Sequence, residues 1–310
     1  MTSPQPKDAW ASAMNNIGAD QGFFRQLDAE HKALFVEGGD ILVVTFDNLD
    51  DARQHPEDRM PWGVKFIAAQ GWSALGIGAH GWTWYRAQAV LDFFDELRDS
   101  GFFARFRKVV FYGTSMAGYA ACAFSSAVPG SIVIALSPQA TLDRDITGGW
   151  EKRFRGAWRR DFSGRYGYAP DQVACAKAVW LFHDPFERED AVHAALFRGP
   201  NIHPIRCRHL GHNMATMLTK MSVLKPIVCG LVAEDLTEAQ VYHHLRARRR
   251  LPLYQKALLT RLLQSRRQGL VYGYTQAVLR DSLPVKRPVF LNHFLAAAKA
   301  LGRTGHPPGL

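Results

Sequence analysis

The chain has no run of about 18 uninterrupted apolar residues, so no single long membrane-spanning helix is expected from it. It has only four cysteines, Cys122, Cys175, Cys207 and Cys229, set in mostly apolar surroundings. Their spacing is neither paired nor ligand-like, which excludes a disulfide framework and a zinc knuckle and leaves reduced thiols of a cytoplasmic protein as the expectation. The opening residues MTSPQPKDAW lack the apolar core of a secretory signal, so export by that route is not expected. There is no Gly-x-Gly-x-x-Gly, no Gly-Lys-Ser/Thr and no His-Glu-x-x-His. A Rossmann cofactor site, a P-loop and a zincin centre are thereby excluded. The twelve histidines are scattered, and neither a metal nor an organic cofactor is expected.

What remains is a chain of ordinary globular balance, 310 residues with 47% apolar and 21% charged content, long enough for one large domain and an appendage. Its net charge of +10 is unevenly placed. Residues 1–150 hold 12 Lys and Arg against 17 Asp and Glu, whereas residues 151–310 hold 26 against 11. Such a field attracts an anionic partner, and the dense Arg246–Arg250 segment marks residues 237–268 as a basic surface apart from any catalytic pocket. Nucleic acid is not the expected partner, since no finger, RNA-binding signature or stacking motif accompanies the charge.

Short apolar runs alternate with helical periodicity through the middle of the chain. Strands are expected at 41–46 (ILVVTF), 72–77, 108–112 (KVVFY), 131–136 (SIVIAL), 178–182 (AVWLF) and 205–208. Helices are expected at about 86–98, 119–126, 188–197 and 214–220. Strand runs with no polar face, separated by helices, indicate a mostly parallel sheet covered on both sides. Residues 50–61 read as a polar loop. Residues 141–170, rich in Arg, Trp, Gly and Tyr, break the rhythm and are longer than a simple connection needs, so a small helical lid is expected there. The organisation read is an N-terminal segment 1–37, an α/β core 38–235 containing the lid, a helical extension 236–300 and a frayed tail 301–310.

The strand 108–112 feeds Gly113-Thr114-Ser115-Met116-Ala117-Gly118 and then a helix. A serine on such a sharp turn needs small neighbours, because sheet and helix approach closely there; Gly113, Ala117 and Gly118 supply them. The turn lifts the hydroxyl above the carboxyl edge of the sheet and puts the Met116 N–H at a helix N-terminus, suited to an oxyanion. The alternative is that Ser115 merely caps the helix. Partners follow in the order nucleophile, acid, histidine. Asp184 stands just past the strand ending at Phe182, and His212 follows the last strand in a Gly-His-Asn turn. Glu187 and Asp190 compete with Asp184 for the acid, and His209 competes with His212 for the base. His80, His183 and His193 read as structural or pocket-lining.

The elbow, the Asp184-Pro185 turn and the late Gly211-His212 together resemble the α/β-hydrolase superfamily. Trp82–Tyr85, Gly-Thr-Ser-Met-Ala-Gly-Tyr-Ala, Leu136-Ser137-Pro138 and Gly211-His212 resemble, more narrowly, a poorly characterised bacterial hydrolase-like group that varies around Gly-Thr-Ser-Met-Gly-Gly. The resemblance covers roughly residues 38–235, and Ala117 departs from it by one methyl group. It implies an α/β-hydrolase fold and a triad of Ser115, Asp184 and His212, and says nothing of the substrate.

The expected chemistry is acyl transfer from an ester, thioester or amide to water through an acyl-enzyme on Ser115. Met116 N–H is one oxyanion donor, and the backbone around Asp47 and Asn48 is the expected source of a second. Trp82, Trp84, Tyr85, Trp150 and Trp158, with Tyr166, are candidates for an aromatic wall over a small-molecule or glycan-linked acyl substrate, or for plain core packing. Lid arginines Arg153, Arg155, Arg159 and Arg160 read as a steering or solvated face. Two rival functions stay open: a non-catalytic glycan- or protein-binding member of the fold, and an acyltransferase using the same triad.

Overall fold

The computed structural model describes residues 7–52, 63–280 and 287–303. Most of the polar loop 50–61, and the tail from residue 304, lie outside them. The chain divides into two units, Met1–His243 and His244–Leu310.

The first unit is built on one eight-stranded sheet of order β1-β2-β4-β3-β5-β6-β7-β8. Its strands are β1 (Gly22–Gln26), β2 (His31–Val36), β3 (Ile41–Asn48), β4 (Ser73–Ala79), β5 (Lys108–Thr114), β6 (Ile132–Leu136), β7 (Ala178–His183) and β8 (Ile202–Arg206). β2 pairs antiparallel with both β1 and β4, and every other pairing is parallel. The expected α/β-hydrolase sheet is therefore present, with helices such as Gln88–Asp99, Met116–Ala123 and Arg188–Leu196 flanking it. β4, β6 and most of β3, β5 and β7 are buried along their length, which is why they read as unbroken apolar runs.

Two differences from the sequence reading have local causes. The sheet begins at Gly22 rather than at Ile41, because residues 22–36 form a hairpin. Its turn is tied by Asp28, whose Oδ1 accepts from the N–H groups of Glu30 (2.8 Å) and His31 (2.7 Å). A five-residue edge strand with both ends exposed carries too little apolar pattern to be seen in isolation. β8 starts three residues early and contains Pro204; an edge strand tolerates proline because one side of it has no ladder to feed.

An aromatic core lies on one face of this sheet. Phe94 stacks on Phe124 at 4.2 Å between centroids, and Phe46 stacks on both at about 6 Å. Phe124 also meets Tyr166 of the 141–170 segment at 4.9 Å. That segment consists of short helical turns, Arg144–Thr147, Arg155–Arg159 and Ala169–Gln172, joined by irregular chain, in agreement with a small helical lid.

The second unit comprises the turn Arg246–Arg250 and the helices Pro252–Gln264, Gln268–Arg280 and Pro288–Ala300. It has its own core of Leu259, Val271, Val278, Leu279, Phe290, Phe294 and Ala297. Gln255 ties its parts together: its side chain donates to the Arg249 carbonyl (2.8 Å) and accepts from Arg287 (2.9 Å).

Candidate active site

Ser115 sits between β5 and the helix Met116–Ala123 with φ 53° and ψ −121°, a conformation that a side chain other than glycine's adopts only under constraint. Its N–H donates to the Leu136 carbonyl of β6 (2.8 Å) and its carbonyl accepts from Tyr119 N–H (2.9 Å), which hold the strained turn from both sides. A methyl group at Gly113 would lie 2.1 Å from the Ala117 carbonyl oxygen, so only glycine fits there. The elbow read from the sequence is thus present in its mechanical detail.

His212 reaches Ser115 from the loop after β8. Ser115 Oγ–H donates to His212 Nε2 at 2.9 Å, and His212 Nδ1–H donates to Asp190 Oδ2 at 2.7 Å. These two partners fix the imidazole tautomer with its basic nitrogen toward the serine. Asp190 is fully buried in the first turn of the helix Arg188–Leu196. Burial pushes its carboxyl pKa up, but the hydrogen bonds and charges of His212 and Arg153 outweigh this and leave it below the usual carboxylate value.

The acid assignment changes accordingly. Asp184 does not meet His212. Its Oδ1 accepts from Phe186 N–H (3.0 Å) and its Oδ2 from Gly211 N–H (2.8 Å), so it laces the loop after β7 to the loop that carries His212. Glu187 stands nearby with its carboxyl pushed upward by burial and by the charges of Asp184 and Asp190. His209, in a left-handed conformation at φ 62°, stacks on Phe186 at 4.4 Å. Of the remaining histidines, His80 pairs with Asp50 (3.2 Å), and His183 and His193 are buried.

Met116 opens the helix after the nucleophile, where a first-turn N–H has no acceptor within the helix. Its thioether accepts from Trp84 N–H at 3.4 Å. Asp47 and Asn48 are the last residues of β3, in register with Gly78 and Ala79 of β4. The Asp47 carbonyl accepts from Tyr85 OH (3.1 Å) and Asn48 Oδ1 from Asp50 N–H (3.0 Å).

A hollow of about 300 Å³ is lined by Trp82, Trp84, Arg153, Phe154, Gly156 and Ala157. Phe154 meets Trp84 at 5.0 Å and Trp82 at 6.2 Å between ring centroids, and its ring lies 6.4 Å from that of His212. Trp82 is 63% exposed, the outer rim of this wall, while Trp84 is buried. The other expected wall residues do not line the hollow. Tyr85 is buried, packed against Phe46 (5.1 Å). Trp150 packs on His193 (4.6 Å), and Trp158 lies under the guanidinium groups of Arg144 and Arg155 at 5.5 and 5.9 Å. Two lid arginines are likewise committed to carboxylates: Arg160 holds Glu30 through two bonds of 2.9 Å, and Arg153 holds Glu151 and Asp190. Phe154 and the inward role of Arg153 had no sequence signal, since neither belongs to a motif.

With the nucleophile on a strand–turn–helix elbow and the acid and histidine following in that chain order, fold and relay define a serine hydrolase of the α/β-hydrolase type. Among solved structures, the capsule O-acetyltransferase of Neisseria meningitidis serogroup A is similar to this chain at 13% identity, over 66% of this chain and 93% of that one, with a TM-score of 0.42. An esterase of Pyrococcus furiosus is similar at 14% identity over 66% and 86%, with a TM-score of 0.40. Est1E from Butyrivibrio proteoclasticus is similar at 13% identity over 68% and 98%, with a TM-score of 0.39. No family model and no curated protein matches the chain. Among the described residues, no cluster of three His, Cys, Asp or Glu is placed to hold a metal ion, and no single helix is long and apolar enough to cross a membrane.

Proposed function

We propose that the protein cleaves an ester, thioester or amide through an acyl-enzyme on Ser115, with His212 as general base and Asp190 as the acid that orients it. The observation that carries this reading is the continuous relay from Ser115 Oγ through His212 to buried Asp190, on a serine held in a strained turn. His212 Nε2 takes the hydroxyl proton as the Oγ–carbon bond forms, and Asp190 supports the imidazolium. The Met116 N–H faces the developing oxyanion, with the chain around Asp47 and Asn48 as the proposed origin of a second donor. The imidazolium then protonates the leaving group as its bond to the acyl carbon breaks. Water attacks the acyl-enzyme, gives its proton to His212, and Ser115 is restored.

The aromatic hollow of Trp82, Trp84 and Phe154 suits a small acyl group or a sugar face carrying one. By its Gly-Thr-Ser-Met-Ala-Gly elbow we read the chain as a relative of the bacterial hydrolase-like group named above. The four free thiols fit a reducing, cytoplasmic setting. A fluorophosphonate probe is expected to label the wild-type protein and to leave Ser115→Ala unlabelled, by intact-mass measurement. A folded wild-type protein that takes no label would favour a binding role for the fold.

A separate observation concerns the second unit. Residues 244–310 carry thirteen Lys and Arg against one acidic residue, Asp281. Leu253, Leu270, Val289 and Leu295 are exposed among these cations. We read this unit as contacting an anionic surface, with its leucines adding apolar contact. Sedimentation with phosphatidylglycerol vesicles is expected to fall steeply as salt rises from about 0.05 to 0.5 M. Binding that ignores salt, or none at low salt, would leave the basic face merely solvated.

A further inference from the structure

We propose that Arg153, carried by the lid rather than by the sheet, is a positioning residue that sets the Asp190 carboxylate for His212 and couples it to the wall of the aromatic hollow. The proposal rests on the triad reading above and deepens it. Asp190 divides its two oxygens: Oδ2 accepts from His212 Nδ1 and Oδ1 accepts from Arg153 Nη1, each at 2.7 Å. Arg153 is held in turn by Glu151, which accepts from its Nε (3.1 Å) and Nη2 (2.6 Å). Glu151 is fully buried and accepts from His193 Nε2 at 3.2 Å. His193 Nδ1 accepts from Ala140 N–H at 3.1 Å, which places the ring proton on Nε2 and so makes His193 a neutral donor to Glu151.

The spacing explains how two short segments build this clamp. Asp190 and His193 are three apart on the helix Arg188–Leu196 and share one face. Glu151 and Arg153 are two apart on irregular lid chain, and both turn toward that face. The planar guanidinium can bond both carboxylates at once, which an ammonium group cannot do with the same geometry.

The charge count gives the clamp a reason. Glu151 stays ionised: burial alone would raise its pKa, but His193 and Arg153 bring it down to about 2. With Asp190 and Arg153 also ionised, the group carries one net negative charge before reaction, and protonation of His212 in the transition state neutralises it. Without Arg153, Glu151 and Asp190 would be two buried carboxylates stripped of the cation they share, and Asp190 would lose the partner of its second oxygen. The next residue, Phe154, lies under the Arg153 guanidinium (5.1 Å) and forms part of the hollow. A group bound in the hollow therefore presses on the same segment that holds the triad acid.

The test uses the full-length chain and p-nitrophenyl acetate, whose acetyl group is too small to probe wall contacts. Arg153→Met is expected to lower kcat on the order of 10²-fold with little change in KM, the effect of a misplaced catalytic group. Arg153→Lys is expected to recover part of that loss. The double variant Glu151→Gln/Arg153→Met removes both charges of the ion pair and stays testable if the single variant misfolds. A kcat still reduced about as far as in Arg153→Met, with unfolding temperature near wild type, supports positioning. Wild-type kcat in the double variant would show that Arg153 only neutralises Glu151, and would overturn the proposal while leaving the triad intact. Turnover by the wild type that Ser115→Ala does not reduce would instead remove the triad reading, and the clamp with it.

Discussion

Replacement of His212 by alanine is expected to lower kcat/KM for a chromogenic short-chain ester by about 10⁴–10⁶-fold, roughly 5–8 kcal/mol of transition-state stabilisation. The ring accepts from Ser115 Oγ–H and stands in a loop with limited packing, so the fold should survive the change. Thermal unfolding measured in parallel separates lost chemistry from lost structure. His209→Ala is expected to cost far less, because that ring is stacked on Phe186. A dead His209 variant beside an active His212 variant would reassign the base. Two variants with wild-type turnover would end the triad mechanism.

Asp190→Asn is the second large effect, expected at about 10⁴-fold in kcat, because an amide can present its N–H₂ to His212 and favour the wrong tautomer. It also deprives Arg153 of a carboxylate partner. Asp184→Asn is expected to leave kcat within about tenfold and to cost roughly 1–2 kcal/mol of stability, since the amide oxygen can keep only part of the pair of bonds to Phe186 and Gly211. Steady-state kinetics of the two variants, with urea unfolding of each, decides the matter. The opposite ranking of activities would return the acid role to Asp184.

Ser115 and His212 were legible because each depends on local chain geometry. A strand, small residues around a serine and a helix leave few other uses for the pattern, and a Gly-His turn after the last strand has a similarly narrow meaning. The acid was not legible in the same way. Asp184, Glu187 and Asp190 lie within seven positions, and which of them faces the histidine depends on how the helix Arg188–Leu196 is rotated against the sheet. That rotation is a packing result. Arg153 was misread for a related reason: an arginine among arginines looks solvated until its carboxylate partner, 37 residues away, is known. The hairpin β1–β2 escaped notice because the aromatic neighbours of Phe23, Phe24 and Phe35, among them Phe93, Phe102 and Trp10, come from other parts of the chain. Trp84 and Tyr85 carry two consecutive left-handed φ values of 55° and both rings are buried, yet only Trp84 lines the hollow.

The bond between Ser115 and His212 closes a loop of 97 residues, and the Arg153 contact threads a second segment through the same point. The parallel pairings β6–β7 and β7–β8 lie inside that loop, and β5, whose pairing with β6 is also parallel, leads into it. Non-local contacts of this kind form slowly, because chain entropy must be lost before any contact rewards it. The nucleophile is therefore latent during synthesis: a nascent chain that has already folded its elbow is still an inert serine. On the proposed mechanism the serine becomes reactive only once β7 and β8 have joined the sheet and brought His212 to it.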